Sequence, residues 1–430
     1  MGGYLAYTEY KESGIEWLGK VPAHWQLKKL QHIARLRSGE TMTAQMMNEN
    51  DEFPVYGGNG LRGYFNFYTH DGNYVLIGRQ GALCGNINYG SGKFWASEHA
   101  VVVSPTVELE TFWLGELLRT MNLNQYSTSA AQPGISVEQI ARLKIPFPPV
   151  EEQRSIARFL DYKTAQIDAL ITKKETLLKK LAEKRTALIS QAVTKGCDRT
   201  VPMKDSGIGW LGEIPLHWES GLVKRYFSVE LGKMLNRSLV VEDGFTKPYL
   251  RAANIHWRKV LLNDVNEMDF SSSQLIRYRL KKGDLLVTEG GVTVGRTAIW
   301  EGELEECYYQ NSINRVRPRD STSSAEFLYY WMYFMKNNGY IDLAANIATF
   351  GHLTQEKLQT LPFVMPPITE QKKIVNYLDA KMLNAEQQEV KINEVIEGLK
   401  EYRTALITNA VTGKIDVRDV MLELEPVEAA

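Results

Sequence analysis

The chain has 430 residues, with 50 Lys and Arg against 51 Asp and Glu, a formal net charge of −1 and a pI near 6.7. That length suits two or three domains, and 44 % hydrophobic with 23 % charged residues is a globular composition. No apolar run approaches the roughly 18 residues needed to cross a bilayer, and the neutral balance lacks the basic excess of a self-sufficient nucleic-acid binder, unless partner subunits complete the positive surface.

The N-terminal residues show no basic-then-apolar export pattern, and Ala6 stands where a myristoylation signal requires Ser or Thr, so the expected location is the cytoplasm. The three cysteines, Cys84, Cys197 and Cys307, lie far apart without a CxxC spacing, which speaks against a disulfide framework and against a zinc site. The first recognisable motif is Ser13-Gly14-Ile15, Trp17-Leu18-Gly19, Pro22 and His24-Trp25. Its two histidine-tryptophan pairs, here and at 217–218, read as packing, since no triad surrounds either histidine.

A variable region follows, in which short apolar runs alternate with glycine, as in Tyr74 to Ile77 between Gly72 and Gly78; these read as strands. It closes with an amphipathic helix carrying Phe112, Trp113, Leu117, Leu118 and Met121 towards a core. Pro148-Pro149 then starts a long helix. Leu160, Ile167, Lys174, Leu181 and Leu188 recur every seventh residue, and Leu170, Ile171, Leu177 and Leu178 widen the stripe. About 40 residues of helix extend on the order of 60 Å. Between 151 and 200, eleven Lys or Arg face seven Asp or Glu, which reads first as a solvated face.

From there the chain is written a second time. Ser206-Gly207-Ile208, Trp210-Leu211-Gly212, Pro215 and His217-Trp218 repeat the first motif. Gly283 to Thr288 answers Gly72 to Ile77, and Ile313 to Pro318 answers Ala100 to Pro105. A second aromatic helix carries Phe327, Leu328, Trp331, Phe334 and Met335. Pro366-Pro367, Glu370-Gln371 and the heptads Leu378, Ala385, Ile392, Leu399 and Leu406 repeat the first long helix with its Glu152-Gln153 start. The predicted organisation is α+β: a globular region at 1–150, a helix at 151–196, a second globular region at 197–365, a second helix at 366–414 and an acidic tail at 415–430. The helices are expected to pair antiparallel, as a coiled coil with pseudo-twofold symmetry, and to offer the rest of their stripe to another protein.

Chemistry is sparse. No phosphate-binding Walker string, no Asn/Asp-Pro-Pro-aromatic methyltransferase motif and no Pro-Asp nuclease pattern is present, and the glycine-rich stretch Gly78 to Gly85 lacks the βαβ setting of a dinucleotide site. The expectation is a chain with no catalytic residue, no metal and no cofactor of its own.

The segment Tyr10 to Gly19 with Pro22 and His24-Trp25, the Pro-Pro-x-x-Glu-Gln helix starts, and Tyr56 to Tyr64 with Ile77-Gly78-Arg79 closely resemble specificity subunits of type I restriction-modification systems, over nearly the whole chain. The resemblance implies two target-recognition domains, each reading one half of a split, asymmetric site in double-stranded DNA, with the helices fixing the gap. One added helical turn at Ala182 would lengthen that gap. It further implies two methyltransferase subunits as partners, which bring S-adenosylmethionine, and in some systems restriction subunits that use ATP and Mg.

Base readout draws on Arg, Lys, Asn, Gln and His in loops. The candidates are Asn59, Arg62, Arg79, Gln80, Lys93 and Gln132 in the first region, and Arg251, Asn254, His256, Arg258, Lys259, Arg296 and His352 in the second. Each of these side chains is equally suited to hydrogen-bonding a turn. Asn311, Asn314, Trp17 and Trp210 read as scaffold, and Tyr64 and Tyr68 as sheet aromatics that are able to stack on bases. Two other readings stay open: the recognition part of a fused restriction-methylation enzyme, and a protein-binding scaffold that reads no bases.

Overall fold

The computed structural model describes residues 4–420 apart from 82, 128–132, 236–243 and 346–350. The chain divides into two units, 1–175 with 393–430, and 176–392.

In the first unit a four-stranded antiparallel sheet runs in the order Ala34–Ser38, Ala100–Pro105, Tyr74–Gly78, Ile87–Gly90. A second sheet runs Gly60–Phe65, Phe53–Gly57, Lys93–Ala96, His70–Asp71, its middle pair parallel. Alternation sorts the side chains of Tyr74–Gly78: Val75 and Ile77 enter the main core with Trp113, Leu117 and Leu118 of the helix Thr111–Thr120, while Leu76 turns to a small cluster with Phe94 and Val102. Gly115 lets that helix approach Tyr89, whose hydroxyl donates to buried Glu116 at 2.9 Å; an added Cβ would fall 2.2 Å from that oxygen.

The second unit repeats the strand order with Phe227–Leu231, Ile313–Pro318, Leu285–Thr288 and Thr297–Ile299, and a smaller sheet of Asn266–Phe270, Phe245–Leu250 and Tyr308–Tyr309, again with a parallel pair. The helix Ala325–Asn337 buries Phe327, Leu328, Trp331, Phe334 and Met335 beneath it, capped by Ser324. The register differs by one residue from the glycine-based correspondence. Ala100 pairs with Gly78 and Ile313 with Thr288, so Gly78 corresponds to Thr288, and Val75, Leu76, Ile77 to Leu285, Leu286, Val287. The core assignments agree, since Leu285 and Val287 join the main core and Leu286 the small one. A one-residue slip would exchange the two faces of the strand.

The long helices are Val150–Lys195 and Ile368–Val411, each roughly 65 to 70 Å at 1.5 Å per residue. Each is followed within two residues by a glycine with positive φ, Gly196 and Gly413, the usual left-handed helix stop. In the first unit the start of one helix (Ile156, Phe159, Leu160, Ile167) and the end of the other (Leu406, Ile407, Ala410, Val411) share one core, and Arg403 holds Asp168 through two hydrogen bonds of 2.9 and 3.2 Å. In the second unit Ile189, Ala192 and Val193 meet Ile374, Leu378 and Met382. The pairing is therefore antiparallel. The stripe is only partly covered: Leu170 and Leu177 are each 46 % exposed.

The two repeated motifs meet in space. Glu152, 5 % exposed, accepts from Trp25 Nε1 at 3.0 Å and from the Tyr7 hydroxyl, and lies 2.8 Å from His24 Nε2. The histidine is thus tied to a carboxylate as well as packed near the aromatics. Gln153 spans Pro148 O and the Glu110 amide, and Gln371 does the same for Pro366 O and the Ser324 amide. Residues 415–420, assigned from sequence to the acidic tail, continue the core instead: Val417 is 2 % exposed and Leu5 bridges Asp416, while the glutamates at 423–428 fall outside the described residues.

Burial also separates the cysteines. Cys84 and Cys307 are each 1 % exposed, burial pushes the Cys307 thiol up to about 12, and Cys197 alone is exposed. At pH 8 the native chain is expected to react with Ellman's reagent at Cys197 only, and at all three thiols once unfolded. Three fast thiols in the native state would contradict this packing.

Candidate nucleic-acid interface

The first unit carries an open cleft of about 730 Å³ where the turn after Phe53–Gly57 faces the loop after Tyr74–Gly78. Asn59, Arg62 and Gln80 line it together with His99, which is not among the residues expected from sequence. The floor is glycine because two backbones touch: a Cβ on Gly78 would lie 2.3 Å from the Gly58 carbonyl oxygen. Asn59 is held by Asn86, whose amide donates to it at 3.1 Å. Arg79 adjoins the cleft but donates from Nη1 to Ser38 Oγ at 3.1 Å. Lys93 lies elsewhere, over Tyr68 and Phe53 at 4.8 and 5.9 Å from the ring centres. Gln132 falls outside the described residues.

In the second unit the candidates scatter. Asn254, 3 % exposed, uses its amide on Leu261 O and Asp264 O and its oxygen on the Arg251 amide, so its polar edge is committed to folding the loop. Arg251 is ion-paired with Asp264. His256 and Lys259 face each other across a two-residue hairpin whose second turn residue, Arg258, has φ 66°. The Arg258 guanidinium bonds Asp379 of the second long helix at 2.6 Å, and the Tyr330 hydroxyl donates to the same carboxylate at 2.6 Å. Arg258 thus fastens the hairpin to the helix. Arg296 is half-buried without a side-chain partner among the described residues, and exposed His352 forms a backbone bridge to Gly290.

Two further arginines are candidates that the sequence reading did not include. Arg35 and Arg37 project from one face of the edge strand Ala34–Ser38, both exposed and both without a side-chain partner among the described residues. Their counterparts by register are Ser228 and Glu230, and Glu230 is paired to Arg277 and Arg315. The Arg-Leu-Arg alternation at 35–37 was the available signal. As expected, Asn314 and Trp210 serve the scaffold: Asn314 donates to Leu353 O at 3.2 Å and Trp210 stacks on Tyr340 at 3.7 Å. Among the described residues no group of three or more His, Cys, Asp or Glu is placed to hold a metal ion, and no helix is long and apolar enough to cross a membrane.

Comparison with known proteins gives a consistent result. The family model described as "Type I restriction modification DNA specificity domain" matches residues 22–180 and 216–398. The type I restriction enzyme EcoprrI specificity subunit of Escherichia coli is 45 % identical over 138 residues, a local match covering 31 % of this chain and 34 % of that one. A putative type I restriction enzyme specificity subunit of Haemophilus influenzae, S.HindORF215P, is 24 % identical over 393 residues, covering 90 % and 91 %. A solved chain from work on complex assembly and conformational transition of the type I R-M system superposes with a TM-score of 0.66 at 18 % identity, covering 92 % of this chain and 99 % of that one, a likeness of fold.

Proposed function

The chain belongs to the family of type I restriction-modification DNA specificity domains, and from that premise we infer that it is the sequence-reading subunit of a type I restriction-modification complex. It recognises DNA and is not itself the enzyme; methylation, and cleavage where it occurs, fall to partner subunits. Each unit reads one half of a bipartite, asymmetric site in double-stranded DNA. The observation behind this reading is one strand order built twice with different side chains on its exposed loops.

Two methyltransferase subunits, bringing S-adenosylmethionine, dock on the long helices, and ATP and Mg enter only with restriction subunits. Exposed apolar pairs one heptad apart support such docking: Val395 with Tyr402 in the first unit, Leu383 with Val390 in the second. The complex works in the cytoplasm. Co-expression with a methyltransferase subunit in a methylation-free host, followed by single-molecule sequencing, should return a motif of two short half-sites around a fixed gap. Absence of any sequence preference would favour the protein-scaffold reading, and methylation by the purified chain alone would favour the fused enzyme.

Arg35 and Arg37 supply phosphate contacts in this scheme. Replacing both with Gln should weaken DNA binding by the complex uniformly across sequences and flatten the slope of log affinity against log salt by about 2. An unchanged slope would remove them from the interface.

A further inference from the structure

The loop from Gly78 to Asn86, in which Ala82 falls outside the described residues, and the loop from Thr288 to Arg296 share one set of backbone hydrogen bonds and carry different side chains. Six hydrogen bonds match one for one. Gly78 N to Asn86 O (2.8 Å) corresponds to Thr288 N to Arg296 O (2.9 Å), and Gly85 N to Gly78 O (2.7 Å) to Gly295 N to Thr288 O (3.0 Å). Cys84 N to Gly81 O and Val294 N to Gly291 O close the inner turn at 3.0 and 3.1 Å, and Asn86 N to Leu83 O and Arg296 N to Thr293 O follow at 3.1 and 2.9 Å. Each loop is also anchored on both sides in the same way. Arg79 N reaches His99 O and Glu289 N reaches Ser312 O, both at 2.9 Å, while Ile135 N and Leu353 N donate back to Arg79 O and Glu289 O. Gly81 and Gly291 have φ of 89° and 70°, and Gly85 and Gly295 have 82° and 75°, so the positions that need left-handed backbone are glycine in both loops.

Around this fixed frame the side chains differ in chemistry. Arg79 stands where the second loop has Glu289, Gln80 where it has Gly290, Leu83 where it has Thr293, and Asn86 where it has Arg296. A loop held by its own backbone bonds does not need those side chains in order to fold. Nor are they buried: Gln80 and Asn86 are exposed, Leu83 is 51 % exposed, and Val292 at the tip of the second loop is 99 % exposed. A rigid frame, with Arg79 and Asn86 further steadied by Ser38 and Asn59, fixes the direction of these groups before any partner arrives, which lowers the ordering cost of binding. The groups themselves match base edges: Gln for adenine, Arg for guanine, Glu for the cytosine amino group, an apolar tip for the thymine methyl.

We propose that these two loops are the matched base-reading elements of the chain, and that the residues at 79/289, 80/290, 83/293 and 86/296 specify the difference between the two half-sites. The proposal rests on the DNA-reading function inferred above and assigns it to a named element of each unit. Gln80 and Leu83 act at the first cleft, and Thr293 and Arg296 at the second loop.

The test uses variants that each take the residue already accommodated at the same backbone position of the sister loop, so the fold should tolerate them: Gln80→Gly and Arg296→Asn. Each is co-expressed with the methyltransferase subunit in the methylation-free host, and methylated sites are mapped on host genomic DNA beside those of the unaltered chain. Gln80→Gly should relax discrimination at a single position of one half-site by about tenfold while the other half-site and the gap stay as they were. Arg296→Asn should do the same in the opposite half-site. A purely structural role would instead lower methylation at every site without changing the motif, and that result overturns the proposal. Variant motifs identical to the original at every position also overturn it, leaving the wider DNA-reading function standing. If the unaltered complex methylates with no sequence preference, both fall together. Should either variant fail to assemble with the methyltransferase subunit, Leu83→Thr and Thr293→Leu, which again exchange the residues of matched positions, carry the same test with smaller changes of volume.

Discussion

Glu152→Ala is expected to destabilise the first unit by about 3 kcal/mol, because it leaves the buried Trp25 indole N–H and the Tyr7 hydroxyl with no acceptor, at about 1 to 3 kcal/mol for each orphaned group. In a unit of this size that corresponds to a fall in melting temperature of roughly 6 to 12 °C. The sister position is the control. The Glu370 side chain is 22 % exposed and bonds His217 at 2.7 Å, while Trp218 Nε1 has no hydrogen-bond partner among the described residues, so Glu370→Ala removes fewer buried contacts and should cost about 1 kcal/mol. Glu152→Gln, which keeps an acceptor oxygen, should recover part of the loss. Equal melting temperatures for the two alanine variants would show that the network around Glu152 contributes little.

The second large effect concerns the gap in the recognised site. Inserting one heptad after Ala182, matched by one heptad after Glu389, should lengthen the unread gap of the methylated motif by roughly three base pairs while leaving both half-sites intact, since seven residues add about 10 Å of helix. Both helices must be lengthened. The helices pair antiparallel in each unit, with Asp168 bonded to Arg403 in the first, and Ala182 and Glu389 each lie fourteen residues from that pair along their own helix. A whole heptad also keeps the apolar stripe on its original face, which a four-residue insertion would rotate by about 40°. Mapping the motif of the lengthened variant settles the matter: an unchanged gap would mean that the helices do not measure it.

Much of the architecture was legible in the sequence because it is encoded locally. Heptads from Leu160 to Leu188 and from Leu378 to Leu406 specify long helices whatever else the chain does, and the doubled Trp-Leu-Gly and Pro-Pro motifs show a duplicated frame. The site was less legible. Asn59, Arg62 and Gln80 come together in one cleft, but Asn254 and Arg258, chosen by the same reasoning, are engaged with their own loop and with the second long helix. Residue type announces what a side chain is able to bind and not which way it points. Arg35 and Arg37 carried a signal in their alternation with Leu36, whereas nothing in the neighbours of His99 marks its place in the cleft.

The strand correspondence failed for a related reason. Matching Gly72 with Gly283 is natural in sequence, yet both glycines merely supply positive φ near a strand start, at 127° and 89°, and a turn tolerates a one-residue shift that a ladder does not. The sequence by itself determined the duplication, the strand and helix content, the antiparallel helix pair and the family, because periodicity and repeated motifs are properties of neighbouring residues. Tertiary structure alone decided that Glu152 meets Trp25 across 127 residues, that Gly78 answers Thr288, and that the loops 78–86 and 288–296 share one set of backbone hydrogen bonds, because those facts depend on hydrogen-bond register and side-chain direction between segments distant in the chain.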